Sequence, residues 1–219
     1  MQRSMQKHVN GGQSGVGHPA RGRPRSFNRA QALDTAMRVF WLNGYASTAI
    51  SDLTAALGIG TTSLYAAFRS KEELYTEALQ HYLSLYEAGV WSRFKAAETA
   101  REAIEVLLVD TAYFVAQGAG AGDPLGCMTT HPVKEDGDNS ALALLMRSLR
   151  TGMFDRVKER LSLAVREGEI STALDLDSFA RFIITLQNGM SVQARAGIGH
   201  AQLEDAATVM MKGWASWIG

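Results

Sequence analysis

Three features of the chain predict an all-α fold. Its apolar residues recur at helical spacing, its periodic stretches are dominated by Ala, Leu, Arg, Glu and Met, and it lacks β-branched runs in strict alternation. With 219 residues and an apolar share of 46%, it can build a sizeable core in one large domain or two modest ones. The stretch that organises it is TAISDLTAALGIGTTSLYAAF, residues 48–68. Two short apolar-patterned segments, Ile50/Leu53/Leu57 and Leu64/Phe68, flank Gly58-Ile59-Gly60. Glycine there supplies the positive φ of a tight helix-helix connection. This is a helix-turn-helix pattern, with Ser47 or Thr48 expected to cap the first helix and Thr61 or Thr62 the second. Helices of about two turns do not hold alone, so a third must brace them.

That brace is expected immediately upstream. Asn28 is a candidate N-cap for a helix to about Asn43, with Leu33, Ala36, Met37, Phe40 and Trp41 on one face and Asn43-Gly44 as its stop. Before it, residues 1–26 are rich in Gly, Ser, Gln and basic residues without apolar periodicity, a composition expected to be disordered when free. Within this arm, Arg23 and Arg25 are suited to a minor groove or to phosphates.

Downstream, Lys71-Glu72-Glu73 opens a helix expected to run unbroken to about Lys95, a stiff lever after the helix-turn-helix. Thr99 to about Gln117 is the next helix, ended by Gly118 to Gly122. A short segment from Leu125 to about Lys134 carries Cys127, Met128 and His131, and the polar run from Glu135 to Asn139 reads as a loop. A long helix spans Ser140 to Glu167. Leu176 to Arg195 and Gln202 to Trp217 form a last pair, joined through Gly197-Ile198-Gly199. The stripe Phe179, Phe182, Ile183, Leu186 and Met190, with Leu203, Met210, Trp214 and Trp217 on the second helix, is expected to build a four-helix bundle from two subunits, the alternative being an intrachain hairpin buried in its own core.

Formal net charge is zero, but residues 1–71 hold nine Lys/Arg against two Asp/Glu, and residues 72–219 hold 13 against 20. A basic third that coincides with the helix-turn-helix suits a phosphate backbone, and the acidic remainder would be repelled by it. No stretch is apolar enough to span a membrane and no apolar h-region follows the basic N-terminus, so a cytoplasmic protein without a membrane partner is expected. The single cysteine excludes an intramolecular disulfide. No nucleophile, base and orienting group converge at recognisable spacing, and His131 has no second ligand at a zinc spacing. A non-enzymatic chain without metal or cofactor is the resulting expectation.

Residues 21–79 resemble the DNA-binding domain of TetR/AcrR-type transcriptional regulators. The marks are Phe40 with Asn43-Gly44-Tyr45, Thr48 and Ile50, Ala56-Leu57-Gly58-Ile59, Ser63-Leu64-Tyr65 to Phe68, and Lys71-Glu72-Glu73-Leu74. The resemblance implies a DNA-binding domain at 27–70 and a ligand-binding and dimerisation domain at 71–219. It further implies a homodimer, most often a repressor, on a palindromic operator, released by a small molecule. On the same basis Thr61, Thr62 and Ser63 would face bases or phosphates. Tyr65 would reach the backbone or a thymine methyl, and Thr48 and Lys71 would bind phosphates. Ala67 stands where many members carry His, so it would give apolar contact with a thymine methyl or no readout.

For the effector, Phe94, Phe114, Met128, Met146 and Met153 are candidates for an apolar pocket, with His131, Gln187 and Asn188 orienting the ligand. The alternative is a redox or electrophile sensor acting through Cys127, whose expected place at a helix N-terminus would favour the thiolate.

Overall fold

The computed structural model describes residues 28–118, 120, 122–131 and 140–218, and among them every regular element is helical. Residues 1–26, with Arg23 and Arg25, and the run from Glu135 to Asn139 lie outside the described residues.

The head begins with α1 (Arg29–Asn43), whose N-cap Asn28 accepts from the Gln31 N–H at 3.1 Å. It ends at Gly44, φ 76°, a conformation that side chains with a Cβ resist. Next come α2 (Ile50–Leu57) and α3 (Thr61–Phe68), with Gly58 left-handed between them at φ 64°. The expected capping hydroxyls are not used. Ala49 is the N-cap of α2 and its N–H donates to Asp52 Oδ2 at 2.8 Å, while Gly60 is the N-cap of α3 with no side chain closing it. The next helix, α4 (Lys71–Tyr86), is capped by Ser70, whose Oγ accepts from the Glu73 N–H at 3.0 Å.

Met37, Phe40, Leu53, Leu64, Phe68, Leu74 and Tyr75 are buried in one cluster. The brace is therefore double: α1 packs on α2, as its apolar stripe implies, and most extensively on α4. Phe40, Tyr45 and Tyr75 meet edge-on or tilted at 4.9–6.3 Å, the geometry that ring quadrupoles favour.

The expected unbroken lever is not regular. After α4 the chain makes a π-helical turn at Glu87–Trp91 before α5 (Ser92–Ala96). A Cβ on Gly89 would meet the Phe114 ring at 2.9 Å, so the widened turn lies where α6 (Ala100–Gln117) crosses closest. Residues 126–131 form a strap containing a short 3-10 turn, Met128–Thr130, and lead on toward α7 (Ala141–Arg166). The chain closes with α8 (Leu176–Arg195), α9 (His200–Lys212) and α10 (Trp214–Ile218), the last two interrupted at Gly213 where one helix was expected. In the body, α6 is the central element, packed against α8 and α9, while α7 packs on α8. Among the described residues no helix is long and apolar enough to cross a membrane.

Candidate functional site

On α3 the apolar pair Leu64 and Phe68 is buried, which fixes the rotation of the helix. Thr61, Thr62, Ser63 and Ala66 face solvent, Tyr65 is 40% exposed, and Ala67 is half-buried. The N-terminus of α3 lacks a side-chain cap, so its first N–H groups are suited to phosphate oxygens. Lys71 Nζ lies 4.3 Å from the Tyr45 ring centroid, a cation seated on an aromatic face beside α3.

Thr48 departs from the phosphate-binding role expected of it. It is buried, and its hydroxyl donates to Gly44 O at 2.7 Å, closing the turn between α1 and α2. The sequence reading also missed Arg69. It follows the last residue of α3, with φ 58° and an 84% exposed side chain whose carboxylate neighbour, Glu73, is 3.9 Å away. A basic residue directly after the second helix of the pair was the signal that could have found it. By contrast Arg29 is engaged, over the Phe68 ring at 4.7 Å and paired with Glu77 at 2.6 Å.

The candidate effector residues divide between the buried core and a surface groove. Phe94, Phe114, Met128 and Met146 are buried core. Gln187 is buried too, and its Nε2 donates to Tyr86 Oη at 3.1 Å and Thr111 Oγ1 at 2.9 Å, so its amide is occupied within the protein. His131 Nε2 lies 2.9 Å from Trp41 O, and burial together with the Arg195 charge pushes its pKa down, making the neutral ring the N–H donor. Of that set, Met153 and Asn188 line a groove of about 390 Å³ between α7 and α8. Thr129, Thr130, Arg150 and Arg181, absent from the sequence reading, line it as well.

Cys127 precedes a three-residue 3-10 turn rather than a helix, which removes the dipole expected to favour its thiolate. It is 4% exposed, its Sγ accepts from Tyr82 Oη at 3.1 Å, and Thr129 Oγ1 lies 2.9 Å away. Burial pushes the Tyr82 phenol well up, so that hydroxyl stays a donor. Among the described residues no group of three or more His, Cys, Asp or Glu is placed to hold a metal ion.

The expected pairing stripe on α8 and α9 splits in two. Phe179, Ile183, Met190, Leu203, Met210 and Trp214 are buried inside the chain, which corrects their assignment to a subunit interface. The exposed apolar residues are Phe182 and Val192 on α8, Val209 on α9 and Trp217 on α10, at 36%, 60%, 69% and 42%, while Leu186 is half-buried against the core. Phe182 and Trp217 stack with centroids 4.8 Å apart, so two large rings form one apolar surface.

A short helix pair with a rigidly set, polar-faced second helix, carried on a helical body, defines a helix-turn-helix transcriptional regulator. Residues 32–78 match the family model of bacterial regulatory proteins, tetR family. The chain is 30% identical over 197 residues to the HTH-type transcriptional repressor ComR of Escherichia coli (strain K12), covering 89% of this chain and 92% of that one. Over the same length it is 26% identical to the HTH-type transcriptional repressor BdcR of the same organism, covering 89% and 91%. Among solved structures, a cysteine mutant of the TetR family transcriptional regulator CifR, complexed with 26bp double-strand operator DNA, superposes with TM-score 0.77. It has 31% identity and covers 87% of this chain and 98% of that chain. The chain belongs to the TetR family of transcriptional regulators.

Proposed function

We propose that this regulator is a homodimeric repressor in which each subunit lays α3 in the major groove of one half of a palindromic operator. The observation that carries this reading is α3 itself: Leu64 and Phe68 anchor it, and every side chain left outside is small, hydroxylic or Tyr65. A helix held by two apolar residues, with the remaining face small enough to enter a groove, is suited to base and phosphate contact. In this reading Thr61, Thr62 and Ser63 meet the duplex at the helix N-terminus, Tyr65 and Ala67 lie against the backbone or a thymine methyl, and Lys71 and Arg69 neutralise phosphates. Arg23 and Arg25 extend the contact through the arm. Residues 27–70 act as the DNA-binding domain and 71–219 as the effector and dimerisation domain.

Dimerisation uses the apolar patch of Phe182, Val209 and Trp217, which the chain leaves 36%, 69% and 42% exposed. Release follows when an effector binds more tightly to a state whose two heads are misaligned for the operator; a coupling of about 1–3 kcal/mol weakens binding about 5- to 150-fold. Such a protein works in the cytoplasm.

The test is binding-site selection from random duplexes and genomic fragments with the full chain. An enriched two-fold-symmetric site, bound by two chains, is the expected result. Absence of any enriched sequence at moderate salt contradicts the proposal.

A further inference from the structure

The groove between α7 and α8 has a chemical character of its own. Each helix contributes one guanidinium and two apolar side chains: Arg150, Met153 and Phe154 from α7, and Arg181, Ile184 and Val192 from α8. Among the residues lining it there is no carboxylate. Arg181 stacks over the Phe154 ring at 4.2 Å and makes no ion pair among the described residues. Arg150 spends its Nη2 on two long bonds, 3.3 Å each, to the carbonyl oxygens of Thr129 and His131. Two planar cations among four apolar side chains, in a space of about 390 Å³, match a small molecule with one anionic and one greasy end.

The same groove touches the strap. Residues 126–131 are bonded to α7 through Arg150 and to α8 through Ser191, whose Oγ accepts from the Cys127 N–H at 2.7 Å. Arg195 adds a second tie to α8, donating to Thr130 Oγ1 at 2.8 Å and to Cys127 O. The strap also holds the head, because Trp41 Nε1 donates to Gly126 O at 2.8 Å and the His131 ring meets Trp41 O at 2.9 Å. Trp41 is fully buried on α1, the helix that carries α2. A carboxylate in the groove competes with the two strap carbonyls for Arg150 and thereby acts on the element that positions α1.

We propose that the α7/α8 groove is the effector site, that its ligand is a small carboxylate with an apolar body gripped by Arg150 and Arg181, and that binding is transmitted to the head through the 126–131 strap. The transmission half rests on the operator-binding reading above; the ligand half does not.

The experiment therefore has two arms. In the first, without DNA, the full chain is titrated calorimetrically with straight-chain carboxylates from butanoate to dodecanoate and with octanamide as the uncharged counterpart of octanoate. Saturable binding of at least one carboxylate, no binding of the amide, and at least tenfold weakening in both Arg181→Gln and Arg150→Gln support the assignment. Arg166→Gln, on α7 outside the groove, is expected to bind as the parent does. No saturable carboxylate binding, equal binding of the amide, or unchanged binding in Arg181→Gln overturns it. In the second arm the carboxylate that binds is added to the protein on its selected operator. Release in the parent and its loss in Arg150→Gln supports transmission, while binding without release overturns it. A chain that selects no operator at all refutes the regulator reading, and the first arm still decides the ligand.

Discussion

The recognition helix α3 and the C-terminal helix α8 are both amphipathic, yet only one declares its partner in the sequence. On α3 the apolar residues that pack, Leu64 and Phe68, stand apart from a face of Thr61, Thr62, Ser63 and Ala66, so a single stripe can be only the inner one. On α8 apolar residues point in more than one direction: Phe179, Ile183 and Met190 are buried, Leu186 is half-buried against the core, and Phe182 and Val192 are exposed. Periodicity says that a stripe will be buried, and not against what. A helix with apolar residues on more than one face carries a pattern whose assignment needs the third dimension.

The sharpest way to break the comparison is to charge each stripe of the helix pair in turn. Ile183→Asp places an uncompensated carboxylate in a fully buried site and is expected to prevent folding or cost several kcal/mol, read as loss of the cooperative melt. Val209→Asp, 69% exposed in the single chain, is expected to fold normally and sediment as a monomer. A folded dimer from Val209→Asp would move the interface elsewhere.

Next in size is the outer face of α3. Tyr65→Ala and Lys71→Ala should each weaken operator binding, by about 1–3 kcal/mol for a contact of this kind, with the dimer intact. Lys71→Ala should also reduce the slope of log affinity against log salt by about 1, because one fewer phosphate is neutralised. Gel-shift affinity unchanged for both at fixed salt would count against the placement.

Thr48→Val separates two roles for one hydroxyl. The bond from Thr48 Oγ1 to Gly44 O predicts a loss of about 0.5–1.5 kcal/mol in thermal or urea unfolding with operator affinity retained. Weakened operator binding at unchanged stability would restore the phosphate contact.

The smallest effect is a pH dependence at the joint between head and body. His131 is held below its ordinary pKa of 6.5, chiefly by burial and then by the Arg195 charge, against the opposing bond to Trp41 O. A base whose folded pKa is depressed favours the folded state only while neutral; its contribution is present above 6.5 and is lost as pH falls through the lower folded value. Urea titrations at pH 7.5 and 5.5 should show that loss, and His131→Gln should reduce it. The same pH dependence in both proteins would remove His131 from the account.

What the sequence made legible follows from how local each determinant is. Asn28 as a cap, Gly44 and Gly58 as stops, and the buried set Met37, Phe40, Leu53, Leu64 and Phe68 depend on neighbours within a turn or two, and the three-helix head could be read directly. The α7/α8 groove could not, because Thr129, Arg150 and Arg181 come together only through the packing of α7 on α8 and the path of the strap. Gln187 shows the same limit from the other side: a polar residue in an apolar helix signals a partner, which turned out to be Tyr86 and Thr111 rather than a ligand. The π turn at Glu87–Trp91 lies inside a stretch whose helical register continues on both sides, so nothing in the pattern marked it.

Hydroxyl-radical footprinting of the full chain on its selected duplex tests the central claim most directly. Two protected blocks related by two-fold symmetry, with centres about one helical turn (about 10 base pairs) apart or further, are expected, and both should fade together in Tyr65→Ala. A single asymmetric block, or even protection along the whole duplex, would contradict the account.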